Sequence, residues 1–197
     1  GATTRPEVFK DVQVERLPLI AHELFHVLSR RNPDLREQLY RAIGFRTCAE
    51  LIFPPALKTR KITNPDAPRN DQAIRVAVDG RESWAIPILF SRAEHYDPAR
   101  ASGFFDYLQF RFLLVALDDG PLPTPRYDAR EPSLVEVSQL TGFFEQVGRN
   151  TGYIIHPEEI LADNFAQLFT DERTVPSPDV LERIERILLH PETGAGG

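Results

Sequence analysis

Apolar residues recur at helical spacing near the start of the chain and at strand spacing in its middle. Ile20, Leu24, Val27 and Leu28 predict a helix over about 17–31 with these side chains on its buried side. Residues 1–16 read as a loose entry. Asn32-Pro33 breaks the helix, because a residue before proline is pushed out of the helical region. A second helix is predicted from about Pro33 to Ile43, with Gly44 as its cap. Residues 54–72 hold Pro54-Pro55, Asn64-Pro65-Asp66 and Pro68, and read as loop. Ile74, Val76 and Val78 then alternate, Asp79-Gly80 signals a tight turn, and Trp84, Ile86 and Ile88 alternate on the return. Pro87 places that return strand at a sheet edge. Leu108, Phe110, Phe112 and Leu114 alternate with polar neighbours, so 104–117 reads as a strand, with a helix as the alternative. Pro121, Pro123, Pro125 and Pro132 make 118–132 loop.

The last third reads as helical. Ser133-Leu134-Val135-Glu136 is a capping box, predicting a helix with Leu140, Phe143, Phe144 and Val147 on one face and an end near Gly148. Pro157 suits a helix first turn, and Ile160, Leu161, Phe165, Leu168 and Phe169 follow at helical spacing. Ser177-Pro178 opens a final amphipathic helix to about Leu189, and the glycine-rich tail is expected to fray. Helices flanking a β-rich stretch predict an α+β fold, with 1–197 as one domain and 54–132 as an inserted antiparallel sheet.

Composition narrows the function classes. With 42% hydrophobic and 26% charged residues, the 197-residue chain has the balance of a soluble globular protein. A net charge of −6 and no basic cluster argue against a nucleic-acid partner. No apolar run reaches membrane-spanning length, and no signal peptide is legible. The compartment stays open, a secreted or periplasmic one with its leader removed included. Oligomeric state stays open as well. Cys48 is the one cysteine, so there is neither an intrachain disulfide nor a thiolate zinc site.

Against this ordinary background His22-Glu23-Leu24-Phe25-His26 stands out as H-E-x-x-H on a predicted helix. Residues i and i+4 share a helix face, so both imidazoles can reach one metal ion. Such a pair binds zinc, with the intervening Glu23 as general base of a hydrolase. A second group lies on the helix after Pro157. Glu159, Ala162, Asp163 and Ala166 share a face apart from the apolar stripe, and the two alanines permit close approach of another helix. Glu159 is then placed to be a third ligand, and Asp163 to accept the outer ring N–H of a ligating histidine. The competing account has Glu158 and Glu159 merely offsetting the helix macrodipole. Tyr153 is a candidate to stabilise an oxyanion, or a packed loop aromatic. His156 is a candidate for that role or for a ligand, or else a capping or surface residue. His95 reads as a loop residue, and His190 as a residue suited to the C-terminal end of the last helix. Trp84 either lines a cleft or joins the core.

The two motifs together resemble the gluzincin zinc metallopeptidases. Glu159-Ile160-Leu161-Ala162-Asp163-Asn164-Phe165 is similar to the E-x-x-A-[D/E]-x-F version of anthrax lethal factor-like domains. The resemblance covers two short helices. It implies a zincin-like fold with paired active-site helices, His22, His26 and Glu159 as zinc ligands, Glu23 as base and Asp163 as partner of a ligand. The metzincin pattern does not fit, since it needs glycine at position 29 and histidine at position 32, where Ser29 and Asn32 stand. The expectation is a zinc metallopeptidase acting on a peptide or protein substrate. The alternatives are a metal-binding but inactive module that recognises a protein or peptide, and a plain α+β domain without metal.

Overall fold

The computed structural model describes residues 8–95, 97, 103–117, 122–169 and 174–192. It is a mixed α+β structure. Helices α1 (Val8–Arg31) and α2 (Pro33–Ala42) come first, followed by strand β1 (Phe45–Thr47). A one-turn helix α3 (Pro55–Lys58) and the short β2 (Lys61–Ile62) lie inside the stretch expected to be loop. Strands β3 (Gln72–Val78), β4 (Arg81–Ser91) and β5 (Leu108–Ala116) form the body of the sheet. Four two-residue strands follow: β6 (Thr124–Pro125), β7 (Tyr127–Asp128), β8 (Glu131–Pro132) and β9 (Leu134–Val135). The chain then returns to helix with α4 (Phe144–Val147), α5 (Pro157–Gln167) and α6 (Pro178–Leu189).

The main sheet has the order β1-β3-β4-β5-β6, with β2 also on β4 and β9 also on β5. Every pairing in it is antiparallel. Register decides which side chains share a face. Ile74 pairs with Ala85 and not with Ile86. Ile74 and Val76 therefore join the helices in one core, while Ile86 and Ile88 pack on the opposite face with Leu57, Leu113 and Val115. Trp84 packs partly buried against that second cluster. The helix-side core gathers Phe25 of α1, Leu39 and Ile43, Phe112, Phe143, and Ile160 and Leu161 of α5. Each fully buried side chain of this kind contributes about 1.5–3 kcal/mol. The strands run from Phe45 to Val135, and the helix-side core is common to sheet and helices.

Four expectations are corrected. First, α1 begins at Val8 and carries Pro18 in its interior, so 8–16 are helical; residues 1–7 and the tail 193–197 lie outside the described residues. Proline is best tolerated in a first turn, which is why the helix reads as starting near 17. Second, the buried side of α1 is Ala21, Phe25, His26 and Ser29, whereas Ile20, Leu24 and Val27 are exposed and Leu28 is half-buried. Third, β4 is an interior strand between β3 and β5. Its pairing with β3 stops at Ala85 and that with β2 starts at Leu89, so Pro87 sits in a gap on that flank where no ladder bond is lost. Fourth, no long helix spans 133–148. Leu134 and Val135 pair with Leu113 and Phe112, so sheet formation overrides the local capping signal. Only the single turn of α4 remains, closed by Gly148 at φ 76°.

Helices α2 and α6 match expectation. Gly44 follows α2 at φ 85°, in the left-handed region that favours glycine. His190 caps α6, its N–H bonding the Arg186 carbonyl. His95 lies in an exposed bend. No described helix is long and apolar enough to cross a membrane.

Candidate metal centre

Helices α1 and α5 pack directly on one another, with Ala21, Ala162 and Ala166 buried and the Phe25 and Phe165 rings 5.5 Å apart. Small residues let the two helices approach closely. Helical spacing then puts His22 and His26 on the inward face of α1, ring centroids 4.8 Å apart. The chain brings Glu159, the third expected ligand, across from them. Its Oε2 lies 3.2 Å from His22 Nε2 and 3.8 Å from His26 Nε2. One ligand atom from each of the three residues falls within 4.8 Å of the others. Atoms about 2 Å from a tetrahedral zinc sit about 3.3 Å from one another, so the observed separations are of the right size.

Both rings are oriented from behind by carboxylates. His22 Nδ1 is 2.8 Å from Asp163 Oδ1, and the Thr151 hydroxyl donates to the other Asp163 oxygen. His26 Nδ1 is 3.0 Å from Glu158 Oε1. Glu158 also accepts from the Ser29 hydroxyl at 2.8 Å and the Tyr40 hydroxyl at 2.5 Å. A carboxylate on Nδ1 selects the tautomer with its proton there and leaves Nε2 as a lone pair. Burial works to raise the Glu158 pKa, but the donors from His26, Tyr40 and Ser29 hold it below the ordinary carboxylate value. Burial likewise works to lower the His26 pKa. The Glu158 hydrogen bond and the charges of Glu159, Glu158 and Asp66 outweigh it, so His26 titrates above an ordinary histidine. Tyr40 moves up, through burial first and then Glu158.

Glu159 is buried as well, and Asn64 donates to its Oε1 at 2.5 Å. Its other oxygen faces two imidazole nitrogens. His26 Nε2 is buried and completes no hydrogen bond. A buried imidazole nitrogen facing a buried carboxylate is unfavourable unless a positive charge, a proton on the ring or a metal ion, lies between them. This orphaned atom is the structural reason that the donor set of two nitrogens and one oxygen fits a divalent metal.

The remaining candidates fall in different places. Glu23 is exposed and lines a cavity of about 420 Å³ together with His22, Asp163 and Ala166. Tyr153 is also exposed; burial, then the carboxylates of Glu159, Asp163 and Asp66, push its phenol pKa up. His156 is the N-cap of α5, its Nδ1 accepting from the Glu158 N–H at 3.1 Å. It is therefore not a member of the His22, His26, Glu159 group. Burial, before the nearby charges, lowers its pKa to about 4, so it is neutral. Sequence reasoning missed Glu158, Ser29, Tyr40, Asn64 and Thr151 as parts of this centre. Ser29 had a legible signal, one turn beyond His26 on the same face. Tyr40 and Asn64 come from other elements and had none. Comparison with protein-family models, curated proteins and solved structures finds no match for the chain.

Proposed function

We propose that the chain is a zinc-dependent hydrolase of zincin-like, gluzincin type, with the peptide bond as its substrate. The observation that carries the reading is the convergence of His22 Nε2 and His26 Nε2 on Glu159, with both Nδ1 atoms held by carboxylates. His22, His26 and Glu159 would hold the ion, which supplies Lewis acidity toward a carbonyl and lowers the pKa of water. The chain's own residues supply the rest. Asp163 and Glu158 keep the two rings in the ligating tautomer. Glu23, beside His22 on the cavity wall, takes a proton from the attacking water and passes it to the leaving amine. The Tyr153 hydroxyl donates to the carbonyl oxygen as negative charge develops there.

A second reading, an inactive metal-binding module that recognises a protein or peptide, is favoured by one observation: the Glu23 side chain is exposed, and no hydrogen bond or ion pair with a described residue orients it. A single variant separates the two. Glu23→Gln keeps the shape and cannot accept the proton. The hydrolase reading expects Glu23→Gln to retain zinc and fold while peptide-library cleavage falls about 10²–10⁴-fold. Zinc-loaded wild type that cleaves nothing in the library, or a Glu23→Gln chain as active as wild type, contradicts it.

A further inference from the structure

The two carboxylate oxygens of Glu159 have different neighbours. Oε2 lies 3.2 Å from His22 Nε2 and 3.8 Å from His26 Nε2. Oε1 accepts from the Asn64 side-chain amide at 2.5 Å. The last torsion of a glutamate side chain is soft, so a carboxylate held only by its stem swings between offering one oxygen and offering both. The Asn64 donor removes that freedom. It does so without charge: a neutral amide satisfies Oε1 and leaves the negative charge of Glu159 for a cation, whereas an arginine or lysine at that place would neutralise it.

Asn64 is itself held in place. It stands two residues after Ile62, and Lys61 and Ile62 pair with Phe90 and Leu89 of β4. Its Oδ1 accepts from the Asp66 N–H at 3.2 Å, in an Asx turn. That bond needs the amide oxygen and Glu159 needs the amide nitrogen, so the two partners fix which way the side chain faces. The Asp66 carboxylate pairs with Arg30 near the end of α1 at 2.7 Å. One short loop is thus fastened to the sheet, to α1 and, through Glu159, to α5.

We propose that Asn64 is a positioning residue that limits Glu159 to one-oxygen ligation of the metal. This role rests on the zinc reading above and deepens it by assigning what keeps the centre open. Two Nε2 atoms and one Oε2 leave a fourth tetrahedral position free. A second oxygen from the same carboxylate would compete for that position. Holding Oε1 on the Asn64 amide turns it toward the loop.

The test is X-ray absorption at the zinc edge, with zinc content, on the full chain loaded with one equivalent of zinc. Wild type is compared with Asn64→Ser, Asn64→Ala and Asp66→Asn. Serine keeps an acceptor for the Asp66 N–H but is too short to reach Glu159, so it is the milder variant should Asn64→Ala not fold. Asp66→Asn removes the charge that holds Arg30 and loosens the same loop while leaving the Asn64 amide in place. All four chains are expected to hold one zinc. Wild type and Asp66→Asn are expected to show a carboxylate bound through one oxygen. In both Asn64 variants the ion is expected to gain an oxygen neighbour, and the carboxylate carbon to move closer to it, as chelation through both oxygens requires. A residue that merely fastened the loop would leave this spectrum unchanged. Asn64 variants with the wild-type spectrum, folded Asn64 variants that lose the zinc, a wild type already bound through both oxygens, or the same change in Asp66→Asn each overturn the role of Asn64 and leave the zinc centre standing. A wild type that binds no zinc overturns the zinc reading itself, and this role with it.

Discussion

His22 and His26 are equivalent in the sequence motif and unequal in the molecule. The His22 side chain is 16% exposed and its partner Asp163 is 31% exposed, at the edge of the cavity that Glu23 also lines. The His26 side chain is 2% exposed and its partner Glu158 is 3% exposed, inside a closed network with Ser29 and Tyr40. One arm of the site faces solvent and the other is part of the core. On the proposed reading, a substrate meets the site at the first. The second holds its charge in place by hydrogen bonds, and any change there is paid in stability as well as in metal binding.

The largest expected effect follows from that contrast. Glu158→Ala leaves His26, Ser29 and Tyr40 without their acceptor in a buried space, and is expected to cost about 3–5 kcal/mol of folding stability. Asp163→Ala, in reach of water, is expected to cost less than about 1 kcal/mol. Urea unfolding of the two metal-free variants checks this; equal losses would erase the distinction between the arms. Zinc affinity sharpens it in the other direction. Asp163→Ala is expected to weaken zinc binding about 10–100-fold while barely changing stability. A competitive chelator titration showing wild-type affinity would remove Asp163 from the site. Tyr40→Phe deletes one of three donors to Glu158 and is expected to destabilise by about 1–2 kcal/mol, with zinc affinity reduced less than in Asp163→Ala.

The smallest effect is one of pH on the metal-free chain. His26 is raised above its ordinary 6.5, so its contribution is present below that value and is lost as pH rises through the folded pKa. Glu158 is lowered below its ordinary 4.5, so its contribution is present above that value and is lost as pH falls through the folded pKa. This pair therefore stabilises the metal-free chain most between the two. Zinc, which binds neutral imidazole, is expected to flatten the alkaline arm. Unfolding free energies measured across pH with and without zinc check both arms; a metal-free chain with no alkaline decline contradicts the assignment of a proton to His26.

How much of this was legible depended on whether the controlling interaction was local. H-E-x-x-H needs only helical spacing, so His22 and His26 come together as expected, and the alanines of α5 mark its close-packed face. The burial of α1 was misread because the helix is apolar on two sides. Ile20, Leu24 and Val27 compete with Ala21, Phe25 and Leu28, and hydropathy cannot tell that the histidine-bearing side turns inward against α5. Leu134 and Val135 look like a helix start until β5 offers backbone partners, which no local pattern announces. Glu158 lies next to Glu159 and reads equally well as a charge at a helix N-terminus. Only Ser29 and Tyr40, one of them on another helix, reveal that it is a buried acceptor.

The central claim is that His22, His26 and Glu159 hold one zinc ion. The most direct measurement is X-ray absorption at the zinc edge, with zinc content, on the purified full chain and on Glu159→Ala. The account predicts one zinc per wild-type chain, with two imidazole nitrogens and light oxygen ligands at about 2.0–2.2 Å. It also predicts loss of that zinc in Glu159→Ala. A wild-type chain that binds no zinc, or a Glu159→Ala chain that keeps it with an unchanged spectrum, would contradict the account.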